Sequence, residues 1–135
     1  MNPEKIFQNH EEIIVYFLCQ MNLYALDLYL DGKRTYQDFP KSRFILLLGN
    51  AFEKFTQEGD TELIYHAGFC NGCSCPNFRK HGYTLKGNNS GSFMNLIIET
   101  ENEFVSDIYE CNDFESSESG DFINQVFIDD WLQKN

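Results

Sequence analysis

Positive charge is scarce in this 135-residue chain. Ten Lys and Arg stand against 21 Asp and Glu, so the formal net charge is -11. Proteins that bind a phosphate backbone need clustered positive charge, and we therefore expect no nucleic-acid partner. From Glu99 to Asp130 the chain carries acids but no Lys or Arg. This stretch is interpreted as a solvated surface or, alternatively, as a face that binds a basic protein.

Long apolar runs are also absent. No stretch approaches the roughly 20 apolar residues that span a bilayer, and the first residues show no basic segment followed by an apolar core. We expect a cytoplasmic protein without a membrane partner. Hydrophobic residues at 42% and aromatics at 16% exclude a disordered chain. The length predicts a single domain over residues 1–135.

Acidic residues are missing from residues 63 to 98, and this window contains three cysteines in the order CxxCxC. They are Cys70, Cys73 and Cys75. Zn²⁺ prefers thiolate and imidazole ligands, and this spacing in a tight loop brings the sulfurs close enough to share one ion. Three thiolates and one histidine leave a formal charge of about -1 around Zn²⁺, which Arg79 and Lys80 suit and carboxylates would repel. The window therefore predicts a zinc site.

Periodic apolar residues predict helices in the first sixty residues. The first helical pattern starts at Asn2 or Asn9 and runs to Gly32, as one long helix or as two short ones. Its apolar surface is wider than one stripe, which predicts several neighbours or a homo-oligomer formed through this N-terminal helix. A second pattern begins around Asp38 and ends at Gly59.

Strand patterns follow the second helix, separated by turn-forming residues. They cover residues 61–67, 83–86, 93–99 and 104–111. Short connections favour an antiparallel meander. Asp121 then caps a last predicted helix, which carries Ile123, Val126, Phe127 and Trp131. The predicted fold class is α+β, with two N-terminal helices packed on a four-stranded antiparallel meander and a short C-terminal helix.

An alternative fold comes from residues 51 to 60, which read AFEKFTQEGD and lead into a strand. This passage resembles the helix-to-sheet step of the cone-shaped NTF2-like domains. The resemblance covers those residues only. It implies a curved sheet around a pocket as the alternative to a flat meander.

The fourth zinc ligand is inferred from the predicted meander. The first strand ends and the second begins at the same edge of the sheet, so His66 and His81 both lie beside the cysteine loop. Cys111 ends the fourth strand at the opposite edge, and a strand of five steps spans ~17 Å. His81 is preferred because the segment before it is free to fold back. The predicted ligands are Cys70, Cys73, Cys75 and His81, with His66 and then Cys111 as alternatives.

Two alternatives to metal binding remain for the cysteines. They are unligated thiols, which behave as small buried hydrophobes, and a redox pair formed by Cys70 and Cys73. Cys19 lies in the first helix and is predicted to be a packed core thiol. Residues 87 to 91 are predicted to form a hairpin turn and not an anion-binding loop, because they lie between two strands.

No nucleophile elbow, Walker loop or dinucleotide fingerprint occurs in the sequence. The leading hypothesis is a small non-enzymatic, zinc-stabilised interaction module whose acidic C-terminal third binds a basic partner. A second hypothesis is an immunity-type or inhibitor protein that neutralises a basic toxin or enzyme without a metal. A third is an enzyme with a pocket that uses the thiols of Cys70 and Cys73.

Overall fold

The computed structural model describes residues 7–70, 80–110, 114–115 and 124–128. Its helices are α1 (His10–Cys19), α2 (Leu23–Tyr29) and α3 (Lys41–Gln57). Its strands are β1 (Thr35–Tyr36), β2 (Phe39–Pro40), β3 (Leu63–Cys70), β4 (Lys80–Gly87), β5 (Phe93–Glu101), β6 (Phe104–Glu110) and β7 (Phe114–Glu115). The predicted α+β class is confirmed. None of the described helices has the length and apolar character that crossing a bilayer requires.

The first helical pattern forms two helices. Asn9 caps α1, because its side chain accepts a hydrogen bond from the Glu12 N–H at 2.9 Å. Met21 then adopts the left-handed conformation, with φ of 54°, and ends the first helical run. Asn22 caps α2 by accepting from the Ala25 N–H at 3.1 Å. The wide apolar surface is therefore divided between two short helices.

The helix α3 buries one apolar stripe, as its periodicity predicts. The stripe consists of Phe44, Leu47, Leu48, Ala51, Phe52 and Phe55. Gly49 lies where α2 passes close by: a Cβ there would stand 3.0 Å from the Leu23 Cδ1. Close packing of the two helices explains why this helix tolerates a glycine.

The strands β3 to β6 form the predicted antiparallel meander, and the full sheet has the order β6-β5-β4-β3-β7. Cross-strand partners share a face of the sheet. The pairs that face the helices include His81 with Ile98, Tyr83 with Leu96 and Leu85 with Met94. On the other face Thr84, Asn95 and Ile97 are also buried, and the Thr84 hydroxyl donates to the Asn95 Oδ1 at 2.6 Å. Both faces of the central strands are therefore covered.

A two-residue hairpin joins β1 to β2, and the sequence patterns did not indicate it. Gln37 and Asp38 at its tip have φ of 53° and 67°, which is the conformation of a tight hairpin turn. The Gln37 N–H donates to the Asp107 Oδ1 at 2.9 Å, and its side-chain Oε1 accepts from the Glu110 N–H at 2.9 Å. These bonds fasten the hairpin to β6.

The predicted C-terminal helix is not seen in the described part of its segment. Gln125 forms a parallel bridge with Phe93, and the Val126 N–H donates to the Phe93 carbonyl at 2.7 Å. Since this N–H is bonded to β5, it is not available to a helix. Ile123 and Trp131 lie outside the described residues.

Residues 87 to 91 form a turn between two strands, as predicted, and this turn encloses a carboxylate of the chain itself. Asp60 is buried, and its Oδ1 accepts from the N–H groups of Asn89 and Ser90 at 2.7 and 2.8 Å. The Ser90 hydroxyl donates to the Asp60 Oδ2 at 2.5 Å. A Cβ at Gly87 would stand 2.0 Å from that Oδ2. Only glycine leaves room here for the carboxylate.

Gly87→Ala is expected to destabilise the protein by about 3 kcal/mol, because the methyl group displaces Asp60 from its hydrogen bonds. Chemical denaturation measures the loss. Gly32→Ala is the control, since its Cβ meets nothing closer than 3.8 Å and should change stability little. The double variant Asp60→Ala/Gly87→Ala should lose less stability than the sum of the losses of the two single variants. Equal stability of Gly87→Ala and the wild type would contradict the contact.

Candidate metal centre at the start of strand β4

The predicted zinc ligands lie along one β-hairpin. The strand β3 ends at Cys70 and β4 begins at Lys80, so the cysteine loop connects these two neighbouring strands. Cys73 and Cys75 lie outside the described residues, as does the side chain of Cys70. His81 is the second residue of β4 and is fully described.

The imidazole of His81 is held by a carboxylate from the first helix. Its Nδ1 stands 2.8 Å from each carboxylate oxygen of Glu11. The Glu11 side chain is 10% exposed, whereas that of His81 is 44% exposed. An ionised carboxylate only accepts hydrogen bonds, so the Nδ1 carries the proton in this pair. In the neutral imidazole the Nε2 then keeps the lone pair that a metal ion needs.

Tyr83 gives Glu11 a second hydrogen bond. Its hydroxyl donates to the Glu11 Oε2. Burial raises the pKa of Tyr83, and the hydrogen bond to Glu11 and its charge raise that pKa further. Tyr83 therefore remains a donor at neutral pH, and it fixes the carboxylate that orients His81.

The two candidate histidines, His66 and His81, lie on opposite faces of the sheet. His66 pairs with Thr84 in the β3–β4 register, while His81 lies on the alternate face with Tyr83. His66 therefore faces the side of the sheet opposite to the helices. The preference for His81 as the fourth ligand stays a prediction.

Cys111 lies outside the described residues, but the strands on each side of it are described. Glu110 ends β6 and pairs with Leu96, and Phe114 in β7 pairs with Cys70. Cys111 stands three positions before Phe114, and three steps of extended chain span at most ~11 Å. The prediction ranks Cys111 last because it ends the fourth strand at the edge opposite to the cysteine loop. The strand β7 brings the chain back beside β3 soon after Cys111, and its two residues carry no periodic pattern that could have predicted this return.

Residues 63 to 98 contain no acids, but carboxylates from other segments of the chain contact residues of this window. Glu11 reaches His81 from α1, and the Glu99 Oε2 stands 3.7 Å from the Lys80 Nζ. Both carboxylates belong to segments outside residues 63 to 98. The charge of Lys80 is therefore partly compensated by Glu99.

His10 has a structural role that its position in the sequence did not suggest. Its Nδ1 accepts from the Val105 N–H at 2.9 Å, which leaves the Nε2 to donate to the Tyr29 carbonyl, also at 2.9 Å. Both ring nitrogens are thereby used to join α1 to α2 and β6. His10 is not a candidate ligand.

Within residues 7–70, 80–110, 114–115 and 124–128, no three His, Cys, Asp or Glu side chains form a group suited to a metal ion. Two of the four predicted ligands, Cys73 and Cys75, lie outside those ranges. Zinc binding therefore stays a prediction. Of the four predicted ligands, only His81 has a described side chain.

Comparison with known proteins does not assign this site, because no protein-family model, no curated protein and no solved structure matches the chain.

The thiol of Cys19 belongs to the described part of the chain. It packs against the core, as predicted, and accepts a hydrogen bond from the Tyr65 backbone. Burial, with a smaller contribution from the charge of Glu62, raises the pKa of Cys19 to about 12. Since the thiolate is the reactive form, Cys19 is protected from alkylation and oxidation near neutral pH.

Cys19 is expected to resist iodoacetamide at pH 8 in the folded protein and to react after unfolding in urea, because unfolding removes the burial that raises its pKa. Peptide mass mapping measures the modification at each cysteine. In the control variant Cys19→Ser, labelling of the remaining cysteines in the folded protein should not change. Rapid labelling of native Cys19 would contradict its buried environment.

Proposed function

We propose that the protein is a zinc-stabilised interaction module that binds a basic partner. Cys70, Cys73, Cys75 and His81 would hold one Zn²⁺. The observation that carries the proposal is the hydrogen bond between the His81 Nδ1 and the Glu11 carboxylate. Metal-binding histidines almost always donate their second ring N–H to such a group.

The donor set fits zinc. Three thiols and an imidazole are the ligands of common structural zinc sites, and four protein ligands leave no open position for substrate. His81 follows the cysteine loop directly, and Glu11 and Tyr83 hold its ring in one orientation. Bound zinc would supply a cross-link that fastens the loop to β4. Through Glu11 that cross-link would also support the position of α1.

The charge balance supports a basic partner. Three of the described cations, Arg34, Lys41 and Lys80, each form an ion pair with an acid of the chain itself. These pairs neutralise part of the positive charge, and the whole chain still carries a formal net charge of -11. Such a surplus of negative charge attracts a basic surface over long range, and salt screens that attraction.

Protein purified without a chelator is expected to contain one zinc ion per chain, measured by elemental mass spectrometry. Removal of the zinc should lower the unfolding temperature, because metal-binding energy contributes directly to folding. Cys73→Ser should reduce the zinc content, and Cys19→Ser is the control that should keep it. Zinc far below one per chain, with every loop thiol freely titratable, would contradict the site. That result would favour an inhibitor that needs no metal.

Glu11→Gln is expected to weaken zinc binding by about 10- to 100-fold, the usual effect of removing a carboxylate behind a histidine ligand. Competition with a chromogenic zinc chelator measures the affinity. Glu12→Gln is the matched control, since the Glu12 carboxylate accepts from the Gln8 N–H at 3.0 Å and does not contact His81. Circular dichroism verifies that both variants fold. Wild-type zinc affinity in folded Glu11→Gln would show that His81 is not a ligand held by Glu11.

A further inference from the structure

A groove of about 530 Å³ runs between α1 and the edge of β3, close to the candidate metal centre but separate from it. Its walls combine aromatic rings with two carboxylates. These are Phe7, Tyr16, Tyr65, Tyr83, Glu12 and Glu62. The described residues that line the groove include none of the predicted zinc ligands.

The aromatic rings form two contacting pairs. Tyr65 and Tyr83 meet edge to face, with ring centroids 5.8 Å apart and an interplanar angle of 76°. Phe7 and Tyr16 have centroids 5.3 Å apart. The Tyr83 hydroxyl is bonded to Glu11, and the Tyr16 hydroxyl accepts from the Gln20 Nε2 at 2.7 Å. These bonds hold Tyr16 and Tyr83 in place, while Tyr65 is 55% exposed and forms the open side.

The described residues that line the groove carry negative charge and no positive charge. Among the described residues that line it, Glu12 and Glu62 are the acids and there is no Lys or Arg. Neither carboxylate forms an ion pair within the described part of the chain. The negative charge of Glu62 helps to raise the pKa of Cys19, which also lines the groove. The Glu62 charge therefore acts on the interior of the groove.

We propose that this groove binds an organic ammonium group carried on an apolar stem. Aromatic faces attract cations through their quadrupole, and the two carboxylates add a direct electrostatic attraction. The apolar wall, which includes Val15 and Ile64, suits a hydrocarbon stem. An anionic ligand is disfavoured because it would face two like charges. The ammonium group could come from a free amine or from a lysine of a protein partner, and the two sources share this chemistry.

The test is titration of the full chain with hexylammonium chloride and, separately, with the neutral isostere 1-hexanol, followed by NMR shifts of the Tyr65 and Tyr83 amides. The amine is expected to bind at least about tenfold more tightly than the alcohol, since a factor of ten corresponds to the energy of one charge-assisted contact. Glu62→Gln and Tyr65→Ala should each weaken amine binding by a similar factor. Glu53→Gln is the control, because Glu53 is exposed on α3 and does not line the groove.

A second arm distinguishes the sources of the ammonium group. A short blocked peptide with one lysine is compared with the same peptide carrying norleucine. If the lysine peptide binds and the norleucine peptide does not, the result supports a protein partner as the source. If hexylammonium binds and the lysine peptide does not, the result supports a free amine. Equal affinity for amine and alcohol, amine binding unchanged in Glu62→Gln, or no response to either ammonium probe would overturn the proposal. Chelation of zinc beforehand tests the metal site separately, since the groove residues include none of its predicted ligands.

Discussion

The buried carboxylate of Glu11 is the constraint on which the relation between the helices and the sheet depends. A charge that is taken out of water needs hydrogen-bond partners, and Glu11 finds both of its partners on β4. His81 and Tyr83 are alternate residues of that strand and therefore point to the same face. Their contacts fix where the first turn of α1 sits above the sheet. The positive end of the helix dipole lies at this turn and further favours the carboxylate.

Much of the fold could be predicted because burial leaves a periodic pattern in long elements. The helix α3 and the four strands of the meander follow such patterns, so both their type and their order were predictable. The hairpin at Gln37 and the strand β7 are too short to show a period. The helix predicted around Val126 had suitable spacing, but its backbone N–H bonds to Phe93 instead. A tertiary contact decided the structure there, as it often does where local preference is weak.

The candidate site was only half predictable for a related reason. The cysteine spacing and His81 are visible in the sequence, whereas Glu11 lies 70 residues from His81 along the chain. A signal for Glu11 was nevertheless present. It stands three, four and seven residues before Ile14, Val15 and Leu18, which are the buried residues of α1. A carboxylate on the apolar face of a helix indicates a buried partner on the opposing element.

Adjacent acids in the first turn of α1 serve different surfaces because a helix turns by about 100° per residue. Glu11 points at the sheet and is satisfied by His81 and Tyr83, while Glu12 faces the groove. Tyr83 belongs to both surfaces: its hydroxyl binds Glu11 and its ring forms a wall of the groove. A ligand that displaced this ring would also disturb the hydrogen bond that orients His81. The groove and the metal centre are therefore separate in their ligands but share one rigid side chain.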